Sequence, residues 1–237
     1  MSSLNQSDVW EELACREDVA SLTNALKNPC DFQLELKHLI DSMYRDHAKI
    51  IEVGSFTGLT SFLIDDRFDK TLLDLNKPAL ELSEKLFQTV QKNGNFVAGD
   101  MFSMPFSDNS FDIVFNSGVL EHFDYQERVD ALKEYGRILK PDGTMIVAFP
   151  NHFCLPYRLG YLYQNWAKQW QYPQEFKLYD MRNEIREAGL QTVERRLMDK
   201  KTPLGYVRSV KWLGLPLKYL FRAIGFEGYL TAVVIRK

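Results

Sequence analysis

The chain has 237 residues, is 45% hydrophobic and 26% charged, and carries a formal net charge of −3, which excludes disordered and fibrous classes and suits one large α/β domain. No apolar run approaches the roughly 18 residues of a membrane span, and the opening Met1–Asp8 lacks the basic and apolar stretches of a secretion signal. Cys15, Cys30 and Cys154 have no metal-ligand spacing and are odd in number, so a reducing cytoplasm is expected, with neither a disulfide framework nor a metal centre.

In chain order, apolar positions recur at helical spacing over Val9–Leu26 and Phe32–Tyr44, with Asn28-Pro29 as the break between them. Short apolar runs at 49–53, 70–74, 95–98, 111–115 and 144–149 then alternate with helical patterns at 58–65, 77–91 and 126–139. Near-continuous apolar strands alternating with helices predict a parallel sheet covered on both faces. Pro141-Asp142-Gly143 predicts a tight turn before the fifth strand. A helix over 178–188, a strand over Leu190–Met198 and a β-branched strand over Tyr229–Ile235 complete the chain, and no linker divides it.

The first strand runs into Glu52-Val53-Gly54-Ser55-Phe56-Thr57-Gly58 and then a helix. A glycine-bearing turn between strand and helix puts backbone N–H groups and a positive dipole end beside a ligand. The dinucleotide fingerprint needs glycine at 54, 56 and 59, yet Phe56 and Leu59 stand at two of these positions. A phenylalanine there opposes the close approach of a pyrophosphate.

Asp74 closes the second strand and Asp100 follows the third. Such ends line one crevice in a doubly wound sheet. Asp74 offers the bidentate geometry for two ribose hydroxyls, Asp100 an acceptor for an amine such as that of adenine, and Met101 a surface for the purine face. Each acid is equally suited to capping a helix.

At these residues the sequence resembles the class I S-adenosylmethionine-dependent methyltransferases, over about residues 48–150. The likeness runs from Glu52-x-Gly54-x-Phe56-x-Gly58 through Asp74 and Gly99-Asp100-Met101 to Phe111–His122 and Arg137–Thr144. It implies a three-layer, doubly wound, Rossmann-like sheet of seven mostly parallel strands, the last antiparallel, with S-adenosylmethionine as cofactor. It also implies that the Gly54–Gly58 turn, with Glu52, Ser55, Phe56 and Thr57, holds the methionine portion. Asp74 with Leu75 beside it would bind the ribose, Asp100 and Met101 the adenine, and Asn116 would lie near the sulfonium. The family usually has glycine where Phe56 stands.

The implied organisation is a single domain: N-terminal helices over 1–46, the cofactor core over 48–150, an aromatic lid over 151–177, and a C-terminal part over 178–237. Nine aromatic residues between Phe153 and Tyr179 suit either a lid over a flat acceptor or a helix burying its own core. Residues 1–127 carry 22 acids and 10 bases, and residues 128–237 carry 10 acids and 19 bases. Bases interleave with aromatics at 200–226, a pattern suited to a membrane interface or lipid-like substrate, or to covering a sheet edge. The overall negative charge gives no support to nucleic-acid binding.

The activity read from this is methyl transfer to a small, apolar or aromatic acceptor. His122 is the candidate general base, or else part of a turn packed under the sheet edge, and His152 is a second candidate. The alternatives are a non-catalytic protein that binds the same cofactor on this fold, and a nicotinamide-dependent oxidoreductase.

Overall fold

The computed structural model describes residues 6–208 and 214–237, with the backbone alone at 206–208. The apolar spacing over Val9–Leu26 produces two helices rather than one, α1 (Gln6–Cys15) and α2 (Val19–Lys27). Asp18 divides them: its carboxylate accepts the Ser21 amide at 2.6 Å, and its own amide donates to the Ser21 hydroxyl at 3.0 Å. This capping box satisfies the first orphan amides of a new helix. After the Asn28-Pro29 break, α3 (Asp31–Met43) buries Leu36, Leu39 and Ile40.

The strands are β1 (Lys49–Val53), β2 (Asp69–Asp74), β3 (Asn95–Ala98), β4 (Phe111–Ser117), β5 (Leu139–Pro150), β6 (Gln191–Met198) and β7 (Leu230–Arg236). Between them lie α4 (Leu59–Leu63), α5 (Lys77–Thr89), α6 (Tyr125–Ile138), α7 (Leu155–Trp166), α8 (Arg182–Glu187), α9 (Thr202–Arg208) and α10 (Gly214–Ile224).

Among the described residues the sheet has seven strands in the order β3-β2-β1-β4-β5-β7-β6. β1 to β5 pair in parallel, and β7 runs antiparallel between β5 and β6. Successive strand residues face opposite layers: Ile50 packs in the cluster with Leu36 and Ile40, and Ile51 in the cluster with Leu132 and Tyr135. Both faces are covered, which is why these strands read as unbroken apolar runs.

β5 begins at Leu139, earlier than the expected 144. The predicted turn is nevertheless present within it. Phe111 pairs with Leu139 and Ile113 with Thr144, so Lys140–Gly143 bulge out of the ladder. The expected helix over 178–188 shortens to α8, tied to α6 by a buried Arg128–Glu184 ion pair at 2.7 Å.

The chain builds β1, β2 and β3 in one direction and then crosses to place β4 on the other side of β1. This reversal opens a crevice beyond the carboxyl ends of β1 and β4. Both ends carry a glycine with positive φ, Gly54 at +68° and Gly118 at +75°. A Cβ on Gly54 would stand 2.7 Å from Val119 Cγ2, so the two turns touch.

Candidate active site

The turn after β1 is held from two sides. The amides of Gly54 and Ser55 donate to the Leu73 carbonyl at 2.8 and 3.1 Å, and the Phe56 amide donates to Asp74 Oδ2 at 2.6 Å. Gly58, at φ +67°, leaves no room for a side chain: a Cβ would meet Leu72 at 2.3 Å and Ser83 Oγ at 2.6 Å.

Phe56 itself adopts φ +47°. That left-handed conformation accounts for glycine being usual at the corresponding family position, and a phenylalanine holds it only under strain. Its ring lies 5.5 Å from Trp10 of α1, a contact that offsets the strain.

The expected cofactor residues divide by where their side chains go. Asp74 is half-buried beside the turn, and Oδ1 also accepts the Asn76 amide at 2.8 Å. Burial raises its carboxyl above the usual range despite these bonds. Asn116 is fully buried; its amide donates to the Tyr135 hydroxyl at 3.1 Å, while Oδ1 has no hydrogen-bond partner. Ser55 Oγ is likewise buried without a partner, and Thr57 is buried. Leu75 is exposed beside Asp74.

Glu52 turns toward α4, accepting the Ser61 amide at 3.2 Å and hydroxyl at 2.5 Å. Its burial pushes the carboxyl up to about 7. Met101 turns into the core, its sulfur accepting the Tyr135 hydroxyl at 3.5 Å. Asp100 is exposed and closes a local turn by accepting the Phe102 amide at 3.0 Å. The structure thus brings Gly54–Gly58, Asp74 and the Asn116–Val119 segment together at the switch point, with Asp100 two strands further along. Glu52 and Met101 brace that arrangement from behind.

The residues at this crevice fit an adenosine-bearing sulfonium. Asp74 and the unpartnered oxygens of Ser55 and Asn116 lie at it, suiting a cation, and Phe56 stands where a pyrophosphate would need bare backbone.

α1 roofs the crevice. Trp10 packs at a tilt against Phe56 and Tyr172, the latter at 6.1 Å, and edge-on against His122 at 5.7 Å, and Gln6 Nε2 donates to the His122 carbonyl at 3.2 Å. His122 Nδ1 lies 3.2 Å from the Gln174 carbonyl. A carbonyl only accepts, so Nδ1 carries the proton and Nε2 is the acceptor nitrogen. Burial holds this imidazole below its ordinary pKa. His152 is buried, and burial together with the Arg158 charge lowers it to about 4.

Three residues outside the sequence expectations belong here: Trp10, Glu121 and Glu175. Glu121 is buried, and its carboxyl is pushed well above the usual range by burial and by Glu175. Its signal was an acid inside the apolar turn Val119-Leu120-Glu121, next to the histidine that drew attention instead. Glu175 accepts the Tyr157 hydroxyl, and burial raises it to about 7.

The aromatic stretch serves partly as its own core. Tyr157 and Tyr161 of α7 are buried with Cys154, and the half-buried Trp170 and Tyr229 pack against them. Residues 174–176 are held against the Glu121–His122 turn through the Gln174 carbonyl and the Phe176 amide. Lys211 and Trp212 of the basic, aromatic stretch lie outside the described residues. A concavity of 570 Å³ lined by Glu35, His38, Leu39, Glu194 and Arg196 holds none of these groups and lies at the β6 edge. Among the described residues no His, Cys, Asp and Glu cluster is placed to hold a metal ion, and no helix is long and apolar enough to cross a membrane.

The fold is Rossmann-like, with a crevice at its β1/β4 switch point. Residues 51–147 match the family model described as Methyltransferase domain. The chain is 27% identical to the chloroplastic 2-methyl-6-phytyl-1,4-hydroquinone methyltransferase 1 of Oryza sativa subsp. japonica, over 77% of this chain and 53% of that protein. It is 30% identical to the demethylmenaquinone methyltransferase of Thermotoga maritima, over 42% of each. A SAM-dependent methyltransferase from Aquifex aeolicus shares the fold, with a TM-score of 0.57, 12% identity and coverage of 92% of this chain and 98% of that one. The chain spans about half the length of the curated relatives it matches. Residues 51–147 are thus similar to a methyltransferase domain, and the cofactor this likeness implies is S-adenosylmethionine.

Proposed function

We propose that this protein transfers a methyl group from S-adenosylmethionine to a small aromatic acceptor. The observation that carries the reading is the meeting of the Gly54–Gly58 turn, Asp74 and Asn116 at the β1/β4 switch point. In this reading the turn amides hold the methionine portion, Asp74 and Leu75 the ribose, and Asp100 the adenine amine, while Asn116 Oδ1 lies toward the sulfonium. Glu52 fixes α4, and Met101 fixes Tyr135 beneath Asn116.

The cofactor supplies an already activated methyl group. The task left to the chain is alignment of the acceptor, with water kept out by the Trp10–Phe56–His122–Tyr172 roof. The aromatic lining supports a flat acceptor, and the names of the rice and Thermotoga relatives, both methylating ring compounds, support the same class.

Contact with a lipid surface is part of the proposal. α10 exposes Leu215, Tyr219, Leu220 and Ile224 beside Lys218 and Arg222, a combination that suits anionic lipid. A cytoplasmic site of action agrees with Cys15, Cys30 and Cys154 all being free thiols.

The test is calorimetric titration with S-adenosylmethionine and with a nicotinamide dinucleotide, followed by assay of S-adenosylhomocysteine released with ring hydroxyl compounds. Binding of the first with turnover is expected. Binding of the dinucleotide alone indicates an oxidoreductase, and binding without turnover across acceptor classes indicates a regulatory protein. Cosedimentation with anionic vesicles, weakened by Leu220→Glu, tests the lipid contact.

A further inference from the structure

The acceptor side of the crevice contains buried polarity that the described residues do not satisfy. Ser117 pairs with Ala148, so the segments after β4 and β5 leave the sheet side by side. A strap runs over the first of these, where the Phe176 amide donates to the Glu121 carbonyl at 2.7 Å and the Gln174 carbonyl faces His122, and the Phe176 backbone also meets His152 of the second. Beneath it Glu121 is 2% exposed, with Oε2 unpartnered. His152 is 8% exposed; among the described residues neither ring nitrogen has a partner in good hydrogen-bond geometry, and the Phe176 backbone is its polar neighbour there. The rings of Tyr157 and Tyr179 flank it at 6.1 and 6.3 Å.

Two glycines set the distance to the donor turn. A Cβ on Gly118 would stand 3.6 Å from Glu121 Oε1, and one on Gly54 would strike Val119. The acid is therefore one short turn from the cofactor cradle. Buried polar groups are almost always satisfied, and an unpartnered Glu121 oxygen this close to the cradle points to a ligand that completes it, with His152 under the same strap as that ligand's second polar neighbour.

Charge selects the ligand. Glu175 raises Glu121, Arg158 opposes the charge of Glu175, and Arg158 and Lys177 both disfavour a cation at His152. Arg158 and Lys177 offset the two acids, so an ammonium gains little there. A ring hydroxyl donates one O–H to Glu121 and accepts from His152, with its ring among the tyrosines.

On the methyl-transfer reading above, we propose that Glu121 and His152 form a subsite for a phenolic hydroxyl, with the Glu121 carboxylate accepting its proton. The O–H bond breaks toward Glu121, and the oxygen lone pair forms the bond to the methyl carbon of S-adenosylmethionine. The C–S bond breaks with its electron pair left on sulfur, cancelling the sulfonium charge. The proton leaves Glu121 to solvent afterwards.

The test measures binding by ligand-observed NMR to the full chain saturated with S-adenosylhomocysteine. The probes are para-cresol, its methyl ether and para-methylbenzylamine. Para-cresol is expected to bind about tenfold or more tightly than the ether, since the buried acceptor is otherwise left unpaired. Its affinity rises with pH as Glu121 ionises. Glu121→Gln lowers that affinity about tenfold and flattens the pH dependence, with S-adenosylhomocysteine affinity within about twofold of the parent. His152→Gln weakens para-cresol in the same way and serves if Glu121→Gln does not fold. Preference for the amine, absence of para-cresol binding, or Glu121→Gln indistinguishable from the parent overturns the subsite. Failure of the parent to bind S-adenosylhomocysteine instead overturns the reading on which it rests.

Discussion

The carboxylate of Asp74 accepts two amides, from Phe56 and Asn76, and each oxygen retains a second lone pair. It both shapes the turn and offers acceptors to a ribose. Hydrogen bonds to a charged group contribute about 1.5–3 kcal/mol, so Asp74→Ala is expected to weaken S-adenosylhomocysteine roughly tenfold to a hundredfold by calorimetry. An unchanged affinity would reduce Asp74 to a turn residue.

Tyr135 links the buried Asn116 amide to the Met101 sulfur. Tyr135→Phe leaves that amide unpaired and is expected to cost about 1–3 kcal/mol in urea unfolding. At this scale the sequence showed which acids sit at strand ends, because Asp74 and Asp100 follow apolar runs. It did not show where side chains turn. Glu52 faces Ser61 and Met101 faces Tyr135 because of neighbours from other elements, and no local pattern encodes that.

The glycine turn is an element whose form follows from residue type. Gly58 and Gly189 both have positive φ, +67° and +77°, but only Gly58 faces Leu72 and Ser83. Alanine at either position meets backbone strain of about 1 kcal/mol. Gly58→Ala adds a clash that is expected to bring roughly 1–3 kcal/mol more, measured as a lower urea midpoint than that of Gly189→Ala. Equal midpoints would mean that α4 shifts freely.

Strands and helices were legible wherever apolar period and turn residues agreed, as at β1, β2 and α5. Two features needed three dimensions. The α1/α2 division depends on the Asp18–Ser21 box, which an apolar pattern does not register, and the Pro141–Gly143 turn became a bulge because Leu139 pairs with Phe111 ahead of it.

For the whole molecule, buried acids set the pH response. Glu52 and Glu175 have folded pKa values of about 7, above the ordinary 4.5, and Glu121 is also raised. A raised acid contributes stability that is full below its unfolded pKa and is lost as pH rises through the folded one. His152 and His122 are lowered, so they act oppositely below about 6.5. Between about pH 6.5 and 8 the acids alone still titrate, and Tm is expected to fall there and to level off once Glu52 and Glu175 have ionised. Glu52→Gln should flatten that fall in differential scanning calorimetry; a slope equal to the parent's would mean that Glu52 titrates normally.

The sheet order was legible only through resemblance to a family, since strand alternation fixes a parallel sheet but not which strand lies beside β1. That order creates the crevice, and the account depends on what the crevice holds. Calorimetric titration of the chain with S-adenosylhomocysteine tests this most directly. One-to-one binding that Asp74→Ala weakens while the fold is retained is expected. No binding, or binding indifferent to Asp74, would contradict it.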